Sequence, residues 1–140
     1  MACYRECCWT FLQNASLQTL VLSSTKFSGF LPKFIGNLKR LQTMDLFACS
    51  FHEIIKSFIS GQNQLVSLEP SYNNLSDPLL SFSLTNNMKY IDMRSNSLIS
   101  FIISTNWSNL LNLELLDRSD NPLTGSIPAS LFSAPLLQQI

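Results

Sequence analysis

Four acidic side chains recur at nearly equal intervals and form the most regular set of ionisable groups in this chain: Asp45, Glu69, Asp92 and Asp117. Carboxylates repeated at one long interval form a stripe across a fold, whereas general acid–base catalysis needs a close pair in a cleft. The sequence also has a single histidine, no glycine-rich phosphate loop and no cysteine–histidine constellation. We therefore predict that the protein is not an enzyme and that it holds no cofactor and no metal ion.

Charge and composition exclude several other classes of protein. The 140 residues are 46% hydrophobic and 13% charged, and nine basic residues balance nine acidic ones. The apolar content is too high for intrinsic disorder, and a net charge of zero gives no attraction to nucleic acid or to an anionic membrane. The longest uncharged stretch, residues 95–113, contains many Asn and Ser side chains that would be unfavourable in hydrocarbon. We expect no signal peptide, no membrane-spanning helix and no membrane contact within this chain.

The apolar residues repeat at the same interval as the acidic ones. Spacings of 24, 24, 23 and 25 residues separate units of the pattern L-x-x-L-x-L, which start at Leu17, Leu41, Leu65, Met88 and Leu113, with a partial unit at Leu137. The alternation within each unit predicts a short strand with one apolar face. A single strand cannot bury that face, so we predict parallel strands stacked over residues 17–140. Residues 1–16 are predicted to be a non-repeat N-terminal segment.

The ninth residue of each unit is predicted to turn the chain and to hydrogen-bond the backbone there. These residues are Thr25, Cys49, Asn73, Asn96 and Asn121. Two units depart from the pattern at their sixth position, where Pro70 and Arg118 replace an inward-pointing leucine. Proline has no N–H for a strand ladder, and a buried guanidinium needs a partner. One alternative for the fifth unit is a bulged strand in which Leu115 and Leu116 share the inward position.

Two units end in the motif x-G-x-I/L-P, as Gly29-Phe30-Leu31-Pro32 and as Gly125-Ser126-Ile127-Pro128. With the 24-residue period, this motif resembles the plant extracellular leucine-rich repeat, and most of all the ectodomains of receptor-like proteins of the disease- or wilt-resistance kind. The resemblance implies an α/β repeat solenoid with short parallel strands on a concave face and irregular or 3-10 segments on the convex side. It also implies a glycoprotein on the extracellular face of the plasma membrane.

The same resemblance implies recognition of a protein or peptide ligand in defence or developmental signalling, with a co-receptor kinase as a further partner. The solvent-facing strand columns supply the candidate ligand-binding residues, which are Asp45, Phe47, Glu69, Tyr72, Tyr90, Asp92, Arg94 and Asp117. Exposed aromatic and arginine side chains are typical of binding hot spots, although scattered surface residues are the simpler interpretation. The acidic stripe either receives a basic partner or consists of residues that only cap and solvate each strand.

Further predictions concern modification and the cysteines. N-x-S sequons place candidate glycosylation sites at Asn14, Asn74 and Asn106. A Cys7-Cys8-Trp9 element is similar to part of the family's N-terminal cap, but we predict no required disulfide. Two alternatives to the receptor hypothesis remain. One is a secreted inhibitor like the polygalacturonase inhibitors built on the same repeat. The other is a truncated gene product without independent function, because a solenoid needs closed ends.

Overall fold

The structure is a computed structural model that describes residues 16–53, 63–76, 86–99, 107 and 110–140. Within these ranges it has seven short strands and two 3-10 helices whose bounds are defined. The strands are β1 (Thr19–Val21), β2 (Ser28–Phe30), β3 (Thr43–Asp45), β4 (Ser50–Glu53), β5 (Ser67–Glu69), β6 (Tyr90–Asp92) and β7 (Leu115–Asp117). The 3-10 helices are Lys33–Asn37 and Ala129–Ser133. None of the helices in these described ranges has the length and apolarity needed to span a bilayer.

One strand from each repeat joins a five-stranded parallel sheet in the order β1-β3-β5-β6-β7. Equivalent positions face each other across the sheet, so that Leu20, Met44 and Leu68 are direct partners in neighbouring strands. Ile91 and Leu116 continue this row. Because the repeats have nearly constant length, residues at the same position of successive repeats lie in one column across the sheet.

The core lies beneath this sheet and is continuous from repeat to repeat. The repeat-starting residues Leu41, Leu65, Met88 and Leu113 are fully buried. Leu31, Leu38 and Leu131 from the returning segments, together with Trp107, pack in the same cluster. Burial of a leucine side chain contributes about 1.5–3 kcal/mol, so the stacked columns are the main stabilising interaction of the solenoid.

Asparagine side chains at the ninth position connect neighbouring repeats, as the sequence predicted. The Oδ1 atoms of Asn73, Asn96 and Asn121 each accept a hydrogen bond of 3.0 Å from a backbone N–H in the preceding repeat. Their Nδ2 groups donate to turn carbonyls, for example from Asn73 to Leu46 at 2.7 Å. Cys49 has the weaker version of this role, because its Sγ donates to the Leu22 carbonyl at 3.1 Å.

Where the x-G-x-I/L-P motif occurs, its Gly and its Pro each have a conformational reason. Gly29 and Gly125 have φ values of 85° and 89°, in the region that side chains with a Cβ rarely adopt. Pro32 and Pro128 directly precede the two 3-10 helices with φ values of −64° and −62°. Proline favours this φ and needs no N–H at a helix start.

A second, smaller ladder was not anticipated from the sequence. β2 pairs with β4 in parallel, with an irregular register between Gly29 and Phe30. Further along, Ser76 and Ser97 form an isolated parallel bridge. These pairings follow the asparagine column, so each described turn leads from the main sheet towards a second line of backbone hydrogen bonds.

The two departures from the repeat have different outcomes. The bulge alternative for the fifth unit is wrong, because β7 keeps its register and pairs Leu116 with Ile91. Leu116 is fully buried, whereas Leu115 pairs with the exposed Tyr90, so the two leucines do not share the inward position. Arg118 is itself buried, with 4% of its surface exposed.

Pro70 interrupts the main ladder at one point. In other repeats the N–H of the sixth residue donates a hydrogen bond to the backbone carbonyl of the fifth residue in the next repeat. The Leu46 N–H donates in this way to the Glu69 carbonyl at 2.9 Å, and the Met93 N–H donates to the Asp117 carbonyl at 2.8 Å. Pro70 has no N–H to donate to Asp92, and the β5–β6 pairing ends one residue earlier, at Leu68 and Ile91.

Candidate functional site

The candidate residues lie on and around the exposed sheet face, which we define as the side of the five-stranded sheet opposite the core. The sheet register places Val21 beside Asp45, Asp45 beside Glu69, and Asp92 beside Asp117. Strands in a sheet are about 4.8 Å apart, so the four carboxylates form a stripe across neighbouring strands.

Three of these carboxylates have a structural role in the turn that follows each strand. Asp45 Oδ1 accepts a hydrogen bond from the Phe47 N–H at 2.9 Å, and Asp92 Oδ1 accepts one from the Arg94 N–H at 3.1 Å. Asp117 Oδ1 accepts from both the N–H and the hydroxyl of Ser119, at 2.9 and 2.6 Å. Aspartate commonly forms this bond to the backbone two residues on. The regular recurrence of Asp therefore has a local explanation that does not require a ligand.

Arg94 partly neutralises one end of the stripe. Its Nη2 lies 2.8 Å from Asp92 Oδ2, and its Nη1 lies 3.9 Å from Asp117 Oδ2. Burial raises the pKa of Asp117, but the hydrogen bonds from Ser119 and the charge of Arg94 outweigh it, so the net pKa is lowered. The nearby charge of Asp92, more than any other cause, raises the pKa of the Arg94 guanidinium.

Glu69 differs from the other three acids. Its pKa is raised, mainly by partial burial and to a lesser extent by repulsion from Asp45 and from Asp92. The positive charge of Arg94 lowers the pKa, but this effect is the smallest of the four. The longer Glu69 side chain also lacks the turn hydrogen bond that the aspartates make. Glu69 is therefore the one acid of the four that has neither a turn hydrogen bond nor an ion pair among the described residues.

An aromatic pair borders the stripe at the C-terminal ends of β3 and β5. The ring centroids of Phe47 and Tyr72 are 5.3 Å apart at an interplanar angle of 64°, an edge-to-face arrangement. Tyr72 is 48% exposed and has a φ of 56°, which is unfavourable for a bulky side chain. The surrounding ladder holds this conformation, since the Tyr72 N–H donates to the Arg94 carbonyl at 3.0 Å.

Tyr90 lies apart from this pair, at the opposite end of the strands. Its hydroxyl donates to Glu114 Oε2 at 2.9 Å, and Lys89 Nζ lies 3.5 Å from Glu114 Oε1. The hydrogen bond to Glu114 raises the pKa of the Tyr90 hydroxyl. The structure therefore brings Phe47, Tyr72, Arg94 and the acidic stripe together but separates Tyr90 into a second polar group.

Sequence reasoning missed two features of this face. The first is the left-handed backbone at the eighth position of every repeat, found at Ser24, Ala48, Tyr72, Ser95 and Asp120. The sequence signal for this conformation was the presence of small or polar residues at four of these five positions. The second is the Lys89–Glu114 pair, which occupies the second position of adjacent repeats and could have been found from the same columns.

The predicted sequon at Asn74 lies within the described part of the chain, and both Asn74 and Ser76 are exposed. Asn14, Asn106 and the cysteines at positions 3, 7 and 8 lie outside it. Among the described residues, no group of three His, Cys, Asp or Glu side chains is placed to hold a metal ion.

Comparison with known proteins agrees with this architecture. The Leucine Rich Repeat family matches residues 16–38. The chain is also 33% identical over 129 residues to Receptor-like protein 41 of Arabidopsis thaliana, an alignment covering 89% of the chain and 14% of that relative. The chain belongs to the leucine-rich repeat family. Its curated relatives are receptor-like proteins, as the sequence predicted, and this leucine-rich repeat chain spans 12% to 14% of their length.

Solved leucine-rich repeat structures share the fold. The Arabidopsis receptor kinase HAESA, in complex with the peptide hormone IDA and the co-receptor SERK1, superposes with a TM-score of 0.80 at 25% identity, covering 89% of this chain and 21% of that one. The ectodomain of the Arabidopsis thaliana receptor kinase GASSHO1/SCHENGEN3, in complex with CASPARIAN STRIP INTEGRITY FACTOR 2, gives 0.77 at 26% identity, covering 86% and 14%. The predicted repeat solenoid with short parallel strands is confirmed.

Proposed function

We propose that this chain is a non-enzymatic recognition module that binds a peptide or protein ligand on its exposed sheet face. It would act within a plant receptor-like protein at the extracellular face of the plasma membrane, in defence or developmental signalling. A co-receptor kinase is a further partner in this proposal. The observation that carries it is the grouping of the Phe47–Tyr72 pair and Arg94, in the turns that follow β3, β5 and β6, with the acidic stripe of the parallel sheet.

The sheet gives these side chains a fixed spacing before any ligand arrives. Tyr72 is held by its N–H bond to Arg94, and the Arg94 side chain is held by Asp92. A surface that is ordered in advance loses little conformational entropy on binding. Exposed Tyr and Arg side chains on such a surface are the residue types that dominate binding energy in protein interfaces. Similar folds binding a peptide hormone and a co-receptor support this function.

The test is selection of ligands from a displayed library of random linear peptides on the purified chain. Enriched peptides are then titrated against the wild-type chain, Tyr72→Ser and Phe132→Ala. Serine occupies the position equivalent to Tyr72 in two other repeats, so Tyr72→Ser removes the ring and keeps a residue that tolerates the turn. Phe132 is a matched control, because it is 69% exposed but belongs to a 3-10 helix outside the sheet.

We expect Tyr72→Ser to weaken the selected peptides at least about tenfold, as loss of a hot-spot residue does, and Phe132→Ala to leave them unchanged. Binding that survives Tyr72→Ser, or a library that yields no binder at all, contradicts the proposal.

A further inference from the structure

The charge on the exposed sheet face is compensated unevenly. At the end formed by β6 and β7, Arg94 approaches both Asp92 and Asp117, with N–O distances of 2.8 and 3.9 Å. At the other end, on β3 and β5, neither Asp45 nor Glu69 forms an ion pair within the described residues. The β6–β7 half of the stripe thus has one cation for two carboxylates, whereas the β3–β5 half has two carboxylates and no paired cation among the described residues.

The uncompensated half lies where the aromatic pair is. Asp45 and Glu69 are direct partners in the β3–β5 ladder, and Phe47 and Tyr72 follow them by two and three residues. Asp45 uses one oxygen for the turn N–H of Phe47, which leaves Oδ2 free of any described hydrogen bond. Burial, together with repulsion from Asp45 and from Asp92, raises the pKa of Glu69, and an approaching cation would offset that repulsion.

Two carboxylates about one strand spacing apart, beside the exposed Tyr72 ring and the partly buried Phe47 ring, favour a planar cation. A guanidinium presents several N–H donors in a fork, so a single group can reach two carboxylates on neighbouring strands. Its faces also pack against aromatic rings, which attract cations. An anionic partner such as a phosphopeptide would meet two unpaired negative charges at the same place and is disfavoured.

We propose that the surface formed by Asp45, Glu69, Phe47 and Tyr72 is the docking position for an arginine side chain of an extended peptide ligand. This inference rests on the proposed function and deepens it by naming the chemistry of the ligand at one position. Within the stripe, Arg94 weakens the attraction at β6 and β7, because it already offsets one of the two negative charges there, and the attraction is therefore strongest at β3 and β5.

The direct test uses two short peptides that differ only in charge, Ac-Tyr-Arg-Ala-NH2 and the same peptide with citrulline in place of arginine. Both are titrated into the chain at low salt and followed by NMR shift changes. We expect the arginine peptide to bind at least about fivefold more tightly, and the preference to shrink in about 0.5 M NaCl, where surface charges are screened.

Charge-removing variants locate the effect. Glu69→Gln should abolish the preference for arginine over citrulline, whereas Asp120→Asn should retain it. Asp120 is exposed and loses the same charge, but it lies in a turn after the sheet, where it accepts a hydrogen bond from Ser95. Unfolding midpoints of both variants verify that the fold is intact, and Asp45→Asn, which preserves an acceptor for the Phe47 N–H, is a second variant at the site.

Each outcome is decisive. Equal binding of the two peptides overturns the arginine site. Equal loss of preference in Glu69→Gln and Asp120→Asn also overturns it and leaves only a diffuse negative field. Library peptides that depend on Tyr72 but carry no cationic residue would likewise overturn it, while the proposed function would stand. If the wild-type chain binds no peptide at all, the proposed function itself is refuted.

Discussion

Replacement of Asn96 by alanine should lower the free energy of unfolding far more than the small size of the lost side chain suggests. The Asn96 side chain is buried, with 8% exposed. Its Oδ1 accepts the Leu75 N–H at 3.0 Å, and its Nδ2 lies 3.0, 3.1 and 3.2 Å from the carbonyl oxygens of Pro70, Met93 and Arg94.

The magnitude follows from which groups lose their last partner. The Pro70 and Met93 carbonyls keep hydrogen bonds from Asn73 and Asn121, at 3.1 and 2.9 Å. The Arg94 carbonyl keeps the Tyr72 N–H. Among the four partner groups, only the N–H of the fully buried Leu75 is left without an acceptor. An orphaned buried N–H costs about 1–3 kcal/mol, and the lost amide donors add about 1 kcal/mol, so we expect a total of about 2–4 kcal/mol.

The assay is urea unfolding of the purified chain, followed in parallel by tryptophan fluorescence and circular dichroism. With a urea dependence of about 2 kcal/mol/M for a chain of this size, the midpoint should fall by about 1–2 M. Asn74→Ala is the matched control, since this neighbouring residue is exposed and should change the free energy of unfolding by less than about 0.5 kcal/mol.

Equal effects of Asn96→Ala and Asn74→Ala would refute the argument that the asparagine column holds the repeats together. A cooperative transition of the wild-type chain would itself exclude the alternative of a gene product that does not fold. Asn96→Cys should fall between wild type and alanine, because Cys49 fills the equivalent position with a weaker donor.

Three further results are expected. Cys49→Asn should raise the free energy of unfolding by about 0.5–1.5 kcal/mol in the same urea assay, because an amide would replace a weak thiol donor; an unchanged or lower value counts against this. The pKa of Asp117 is lowered in the folded chain, so the ionised form of Asp117 stabilises the fold. The free energy of unfolding should therefore be higher for wild type than for Asp117→Asn, fully so above about pH 4, and the difference should disappear as the pH falls through the folded pKa. A difference that does not change with pH would contradict this. Asn74→Gln should remove one glycan from the chain expressed through a plant secretory pathway, as measured by intact mass; an unchanged mass shows that the exposed sequon is unused.

The repeat made much of the fold predictable. Once a unit of nearly constant length is recognised, residues at equivalent positions must share a column, which is why the core-facing row from Leu20 to Leu116 and the asparagine ladder could be derived from spacing alone. The acidic stripe was predictable for the same reason. Its division into compensated and uncompensated halves was not, because that depends on where one long side chain, Arg94, points.

The sequence by itself thus determined the period, the inward columns, the ninth-position ladder and the family, since each depends on which residues recur and not on their surroundings. Only the tertiary structure decided the rest. It placed Arg118 in the interior while keeping β7 in register, stopped a ladder at Pro70, set Tyr72 against Phe47 in a left-handed turn, and moved Tyr90 away from them. These outcomes depend on contacts between repeats, where rotamers and neighbouring charges compete, and the order of residues along one chain does not contain that information.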